Sequence, residues 1–220
     1  MPLPAFDDAT LFRPVGNFYA TTGKRLLDLA LVILAMPVVV PLLALVLAAT
    51  WADGGRPIFR QRRVGLAGQE FICWKVRTMV PDADRALADL IAHDPETAAE
   101  WQRNQKLARD PRITRLGGFL RRTSLDELPQ LLNVLNGTMS LIGPRPFTPE
   151  QRVIYAEGGD SAYYHLRPGL SGLWQVSRRN AGGFADRVHF DELYSRQLSL
   201  ATDACILWRT FSVVMRATGL

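Results

Sequence analysis

Two adjacent carboxylates, Asp126 and Glu127, stand in the run Arg121-Arg122-Thr123-Ser124-Leu125-Asp126-Glu127-Leu128-Pro129-Gln130. Carboxylates beside arginines can hold a metal ion against a phosphate. Alternatively, one of them can attack phosphorus while cations neutralise the phosphate charge. The bland reading is that adjacent acids in the first turn of a helix are common, because the helix dipole favours them there. Spacing alone does not separate these readings. A second element, Ser140-Leu141-Ile142-Gly143-Pro144-Arg145-Pro146, reads as a strand leading into a stiff turn that presents Arg145. Surface arginines also snorkel or pair without any function.

The elements around the pair must place it. Ser124-Leu125-Asp126-Glu127 fits a capping box, with the helix running through Leu131, Leu132 and Leu135 and stopping near Asn136-Gly137. Pro129 sits awkwardly for a cap at Ser124, so the start can slip by one or two residues. In either register the pair lies in the first turn, where free N–H groups favour anions. Upstream, Pro57 to Val64 and Glu70 to Lys75 read as strands of a hairpin around Gly65-Leu66-Ala67-Gly68. Asp82 to Ala92 and Glu96 to Lys106 read as amphipathic helices parted by Asp94-Pro95. Ile113 to Arg121 carries an apolar stripe bordered by arginines, suited to a headgroup layer or to packing on its own core. Downstream come a turn at Arg167 to Gly172, a short strand at Leu173 to Val176, and helices at Asp186 to Leu200 and Asp203 to Ala217.

Leu26 to Ala49 is an apolar run with one charge, Asp28. As a straight helix it would be roughly 36 Å long, against a bilayer core of about 30 Å. Pro37 and Pro41 interrupt it, and basic residues flank both ends: Lys24 and Arg25 before, Arg56, Arg60, Arg62 and Arg63 after. Positive charge stays on the cytoplasmic side. The expectation is therefore a re-entrant helical hairpin over residues 23–50, with a kinked crossing helix or a buried soluble helix as alternatives. A signal peptide is disfavoured by the length of the run and the arginines after it. Residues 1–22 are expected to form a loosely ordered tail and 51–220 the globular domain.

The chain has 220 residues, a formal net charge of +5 and a sequence pI of about 9.6. Only Lys24, Lys75 and Lys106 are lysines, so the basic complement is arginine, the better bidentate phosphate ligand. Either an anionic partner or a biased composition accounts for this. Cys73 and Cys205 read as free core thiols, and His93, His165 and His189 have no zinc-ligand spacing. Gly16 to Lys24 fails as a phosphate-binding loop, because the glycine spacing is wrong and Arg25 replaces the required hydroxyl residue. Asn136-Gly137-Thr138 reads as a helix-ending turn rather than a glycosylation site. No aromatic-basic recognition motif supports a nucleic-acid partner.

The ordered set of motifs resembles the bacterial sugar transferases, the monotopic polyprenyl-phosphate phosphoglycosyl transferases, over about residues 23–217. The marks are Lys24-Arg25-Leu26-Leu27-Asp28, Phe59-Arg60-Gln61-Arg62-Arg63-Val64-Gly65, Trp74-Lys75-Val76-Arg77-Thr78-Met79, Leu120 to Leu135, Met139 to Pro146, and Arg167 to Val176. The resemblance implies an α+β, mostly helical fold. A re-entrant hairpin would accompany a cytoplasmic-face domain with interfacial amphipathic helices and a small β-hairpin. It implies transfer of a sugar-1-phosphate from a UDP-sugar to polyprenyl (undecaprenyl) phosphate at the cytoplasmic face of the bacterial inner membrane, with release of UMP. On this chain Asp126 would be the nucleophile forming a phosphoaspartyl-sugar intermediate. Glu127 would hold Mg²⁺, Arg145 would contact substrate phosphate, and Arg112 is a weaker phosphate ligand. Val76 and Thr78 stand where the family often has Phe and Ser, and Leu193-Tyr194-Ser195 follows its pattern only loosely. The chain looks like the compact form that initiates exopolysaccharide from UDP-galactose or UDP-glucose, with room for a homo-oligomer. The alternative is a non-catalytic membrane scaffold of a polysaccharide assembly complex.

Overall fold

The computed structural model describes residues 18–156, 162–177 and 184–215. The architecture is α+β, mostly helical, and is organised along one long apolar helix. Helix α1 (Lys24–Ala52) follows a π-helical turn, Tyr19–Gly23, so residues 18–22 join the helix rather than the expected tail. Residues 1–17 of that tail lie outside the described residues.

The hairpin expected over 23–50 is instead one continuous helix containing both prolines. Pro37 and Pro41 are one turn apart, so their missing N–H groups fall on one face, and that face is exposed. The opposite face packs along the body and keeps the helix continuous. Val32, Met36 and Val39 meet Cys73, Leu131, Val134 and Met139, whereas Leu42, Leu43, Val46 and Leu47 meet Val76 and Leu120. Polar contacts tie both ends. Arg25 donates to the carbonyls of Val134 and Leu135, and the Asp28 carboxylate accepts from Ser140 Oγ (2.7 Å) and Leu141 N (3.1 Å). Arg77 Nη2 donates to the Thr50 carbonyl at 2.9 Å. The outer face leaves Leu34, Val38, Leu45 and Trp51 each 70% exposed or more. By length and composition α1 could cross a membrane.

Strands β1 (Ile58–Val64) and β2 (Glu70–Val76) form the expected antiparallel hairpin, with Ile58 opposite Val76 and Val64 opposite Glu70. Helices α2 (Ala83–His93) and α3 (Pro95–Asn104) flank Asp94, whose carboxylate accepts from Glu96 N and Thr97 Oγ1 and so caps α3. Then come α4 (Arg115–Thr123), α5 (Gln130–Leu135), β3 (Ser140–Ile142), α6 (Arg152–Ala156) and β4 (Gly169–Ser171), the last parallel to β3. Helices α7 (Leu173–Ser177), α8 (Arg187–Arg196) and α9 (Leu200–Met215) complete the described chain; residues 216–217 of the last expected helix lie outside it.

The strand expected at Leu173 to Val176 is the helix α7, and the strand lies upstream. Glycine decides this, because the two backbones touch. A Cβ on Gly143 would lie 2.3 Å from the Arg167 carbonyl oxygen, and one on Gly172 would lie 2.1 Å from the Gly143 oxygen. Only at 169–171 can the chain come close enough to pair with β3. Cys73 is buried as expected, but Cys205 is exposed on α9; its neighbours Asp203 and Ile206 take the inward face.

Asp28→Ala would leave Ser140 Oγ and Leu141 N–H without an acceptor. The expected cost is about 2 kcal/mol or more, read as a lower thermal midpoint in detergent. An unchanged midpoint would show that this carboxylate does not hold α1 to the body.

Candidate active site

Helix α4 ends at Ser124, which takes a left-handed conformation (φ 58, ψ 18) and donates its N–H to Arg121 and Leu120 carbonyls. Ser124 makes no side-chain cap, so the expected capping box is absent. Leu125–Glu127 is a single 3-10 turn and α5 begins at Gln130. A helix started at Ser124 would carry Pro129 in its interior, where the missing N–H and the ring clash are costly. Starting α5 after Pro129 avoids both. The pair therefore sits in a tight turn between two helices. The expected stop holds, with Asn136 as C-cap and Gly137 at φ +86.

Asn133 clips α5 to the free edge of β2. Its Oδ1 accepts from Trp74 N at 3.2 Å, and its Nδ2 donates to the Ile72 carbonyl at 2.7 Å. This puts the turn beside Lys75 of β2. Lys75 Nζ meets Glu127 Oε1 at 2.9 Å, and Arg145 Nη2 meets the same oxygen at 3.1 Å. The turn carrying Arg145 is held from both sides. Gly143 N donates to the Ser171 carbonyl, Gly169 N to Pro144, and Arg63 Nη1 to Pro146.

Asp126 is buried and makes no hydrogen bond or ion pair among the described residues. Burial pushes its carboxyl up, with Glu127 adding to the rise, while Lys75, Arg121 and Arg145 oppose it. Burial also opposes ionisation of Glu127, yet Lys75 and Arg145 outweigh it and hold that carboxyl far below the usual range. Arg145 is raised by Glu127. Two neighbouring carboxylates thus differ in environment: one is neutralised by direct ion pairs, the other is left desolvated and more basic.

The cations outnumber the pair. Arg121 faces Asp126 and donates from Nε to Thr78 Oγ1 at 2.9 Å. Arg187 lies 4.3 Å from the ring centroids of both Trp174 and Phe184. Burial, with Arg145 and Arg63 nearby, pushes Arg187 down to about 9. Behind it, burial raises Asp191 to about 7, against a hydrogen bond from Tyr155 and the charge of Arg187. Arg112 is not brought to the pair. It donates to Asp110 at 2.8 and 2.6 Å and stacks over Trp101, so its guanidinium is committed there.

Among the described residues no group of three or more His, Cys, Asp or Glu gathers. Magnesium commonly takes one or two protein carboxylates and completes its shell with substrate phosphate and water. Asp126 and Glu127 fit that donor set. The sequence reading missed Lys75, Arg121 and Arg187 as site residues. Lys75 had a signal, as one of three lysines in an arginine-rich chain; Arg187 had none.

The family model described as bacterial sugar transferase matches residues 19–217. The chain belongs to the bacterial sugar transferase family. A UDP-galactose-lipid carrier transferase of Erwinia amylovora is 44% identical over 197 residues, covering 89% of this chain and 41% of that protein. An undecaprenyl-phosphate galactose phosphotransferase of Salmonella typhimurium is 43% identical over 196 residues, again 89% and 41%. An exopolysaccharide production protein, ExoY, of Sinorhizobium fredii is 41% identical over 208 residues, 94% of this chain and 90% of that protein. The chain thus spans about two fifths of the first two relatives and most of the third.

Asp191 supplies a pH prediction. Its folded carboxyl titrates near 7, above the unfolded value of 3.8. The folded state therefore binds more protons between those limits, and the contribution, full below about 4, is lost as pH rises through about 7. Compared with Asp191→Asn, wild-type unfolding free energy should fall across that window by up to about 1.4 kcal/mol per pH unit. Denaturant titrations at pH 5, 6, 7 and 8 measure it; parallel curves for the two proteins would refute the buried acid.

Proposed function

We propose that this chain transfers a sugar-1-phosphate from a UDP-sugar to polyprenyl phosphate. Asp126 is the nucleophile, and galactose or glucose is the transferred sugar. The observation that carries this reading is the buried, unpaired Asp126 beside a Glu127 already neutralised by Lys75 and Arg145. The relatives whose names specify lipid-carrier and undecaprenyl-phosphate galactose transfer support the substrate class.

In the first step an Asp126 carboxylate oxygen attacks the β-phosphorus. The bond from that phosphorus to the bridging oxygen breaks, and the electron pair leaves with UMP. In the second step a phosphate oxygen of the polyprenyl carrier attacks the same phosphorus and Asp126 departs as carboxylate. Desolvation and the lack of hydrogen bonds among the described residues keep the Asp126 oxygen basic, which favours attack. Arg145 and Lys75 face the phosphate oxygens, and the charge of Arg121 acts on Asp126. Glu127 would hold Mg²⁺, which when bound would neutralise phosphate charge as a Lewis acid. Covalent capture lets one small site serve a soluble donor and a lipid acceptor in turn.

The placement is at the cytoplasmic face of the inner membrane. Both ends of α1 are tied to one body, by Arg25 and Asp28 at one end and the Thr50 carbonyl at the other. Basic residues flank both ends. Together these favour a helix that lies along one leaflet with both ends on the same side and its exposed apolar face in lipid.

Asp126→Asn should abolish release of UMP from UDP-galactose or UDP-glucose in the presence of undecaprenyl phosphate and Mg²⁺. Wild type mixed with donor labelled in the β-phosphate should yield an adduct on Asp126. Product formation without such an adduct would sink the mechanism. Cysteine labelling at residue 18 and after Arg63 should report the same side; opposite sides would overturn the topology.

A further inference from the structure

Near the Arg145 turn, three polar side chains have buried atoms with no partner among the described residues. Gln175 is 6% exposed and neither Oε1 nor Nε2 is hydrogen-bonded; Trp174 is 8% exposed and its Nε1 is likewise unpaired. The Arg187 Nε is the third. A buried amide unpaired at both ends is costly, so such a group points to a missing partner. The position is specific. The place where a Gly172 Cβ would sit is 2.8 Å from Gln175 Oε1, so the amide lies directly against this glycine. Gly172 abuts the Gly143 carbonyl, two residues before Arg145. Arg187 stacks on Trp174 and feels the charge of Arg145. Glu127 pairs with Arg145, the charge of Arg145 acts on Arg187, and Arg187 lies over the ring of Trp174, the neighbour of Gln175 in the chain.

We propose that Gln175 and the Trp174 N–H bind the uracil ring of the donor, with Arg187 facing the phosphate next to it. The inference rests on the donor being a nucleoside diphosphate sugar. In-line displacement places the leaving group opposite the nucleophile. Groups beyond the arginines from Asp126 therefore face the departing nucleotide, whereas the sugar stays on the attacked phosphorus. Uracil presents a carbonyl acceptor beside an imide N–H donor. The Gln175 carboxamide offers the matching donor and acceptor side by side. The amide alone would also pair with cytosine by flipping. The fixed Trp174 N–H is a donor only, and it favours a ring carbonyl over the amine that cytosine presents on that edge.

Equilibrium binding of labelled UMP to the full chain in detergent, with CMP and inorganic pyrophosphate as competitors, tests this. Gln175→Ala should weaken UMP binding by about tenfold or more and leave pyrophosphate competition unchanged. Trp174→Phe keeps an aromatic ring beside Arg187 but removes the donor, and it should narrow the preference for UMP over CMP. Equal weakening of UMP and pyrophosphate in Gln175→Ala would make Gln175 a packing residue and overturn the proposal. So would unchanged UMP binding, including the case where only the preference between UDP-galactose and UDP-glucose shifts. Because the readout is binding, it separates the two hypotheses. Wild type that binds UMP but forms no lipid product from any UDP-sugar sinks the proposed reaction, not this subsite. An active wild type whose Gln175→Ala variant keeps full UMP affinity sinks only the subsite.

Discussion

One carboxylate oxygen gathers the site. Glu127 Oε1 is shared by Lys75 from β2 and Arg145 from the turn after β3, so three separated stretches of chain meet on a single atom. Buried charges are expensive unless paired, and Glu127 is kept ionised there by Lys75 and Arg145. The surrounding structure serves that junction. Asn133 fixes α5 to β2, and glycine contacts at 143 and 172 let β4 and α7 press against the Arg145 turn. Asp126 benefits indirectly: its neighbour takes the direct ion pairs, leaving it buried and basic.

The charge surplus has a direction. Beyond the ion-paired Glu127, the site holds Arg121 facing Asp126, and Arg63 and Arg187 near Arg145. Burial lowers the affinity of Arg63, Arg121 and Arg187 for their protons. Cations held in that state are stabilised by an incoming anion.

Helix α1 serves two environments at once. Its inner face carries residues every three or four positions that pack on the body from Arg25 to Thr50, and its outer face is almost wholly apolar and exposed. Such a helix cannot be separated from the body without exposing both the Asp28 partners and the apolar clusters. The position of the Asp126–Glu127 turn is thereby coupled to where this helix lies.

Features carried by short stretches of sequence are legible in the residues themselves. They include the Asp126–Glu127 pair, the apolar run with its basic flanks, the hairpin around Gly65 to Gly68, the Asp94 helix start and the stop at Asn136-Gly137. Each depends on neighbours in the chain: periodicity, a cap, a glycine at positive φ. Tertiary structure alone decided that α1 is continuous through two prolines and that the second parallel strand is Gly169–Ser171. It also decided that Lys75 and Arg187 join the site. These outcomes turn on contacts between residues up to about a hundred positions apart, such as Arg25 with Val134 and Lys75 with Glu127. Local sequence carries no record of which distant side chain or carbonyl will arrive to satisfy a given charge.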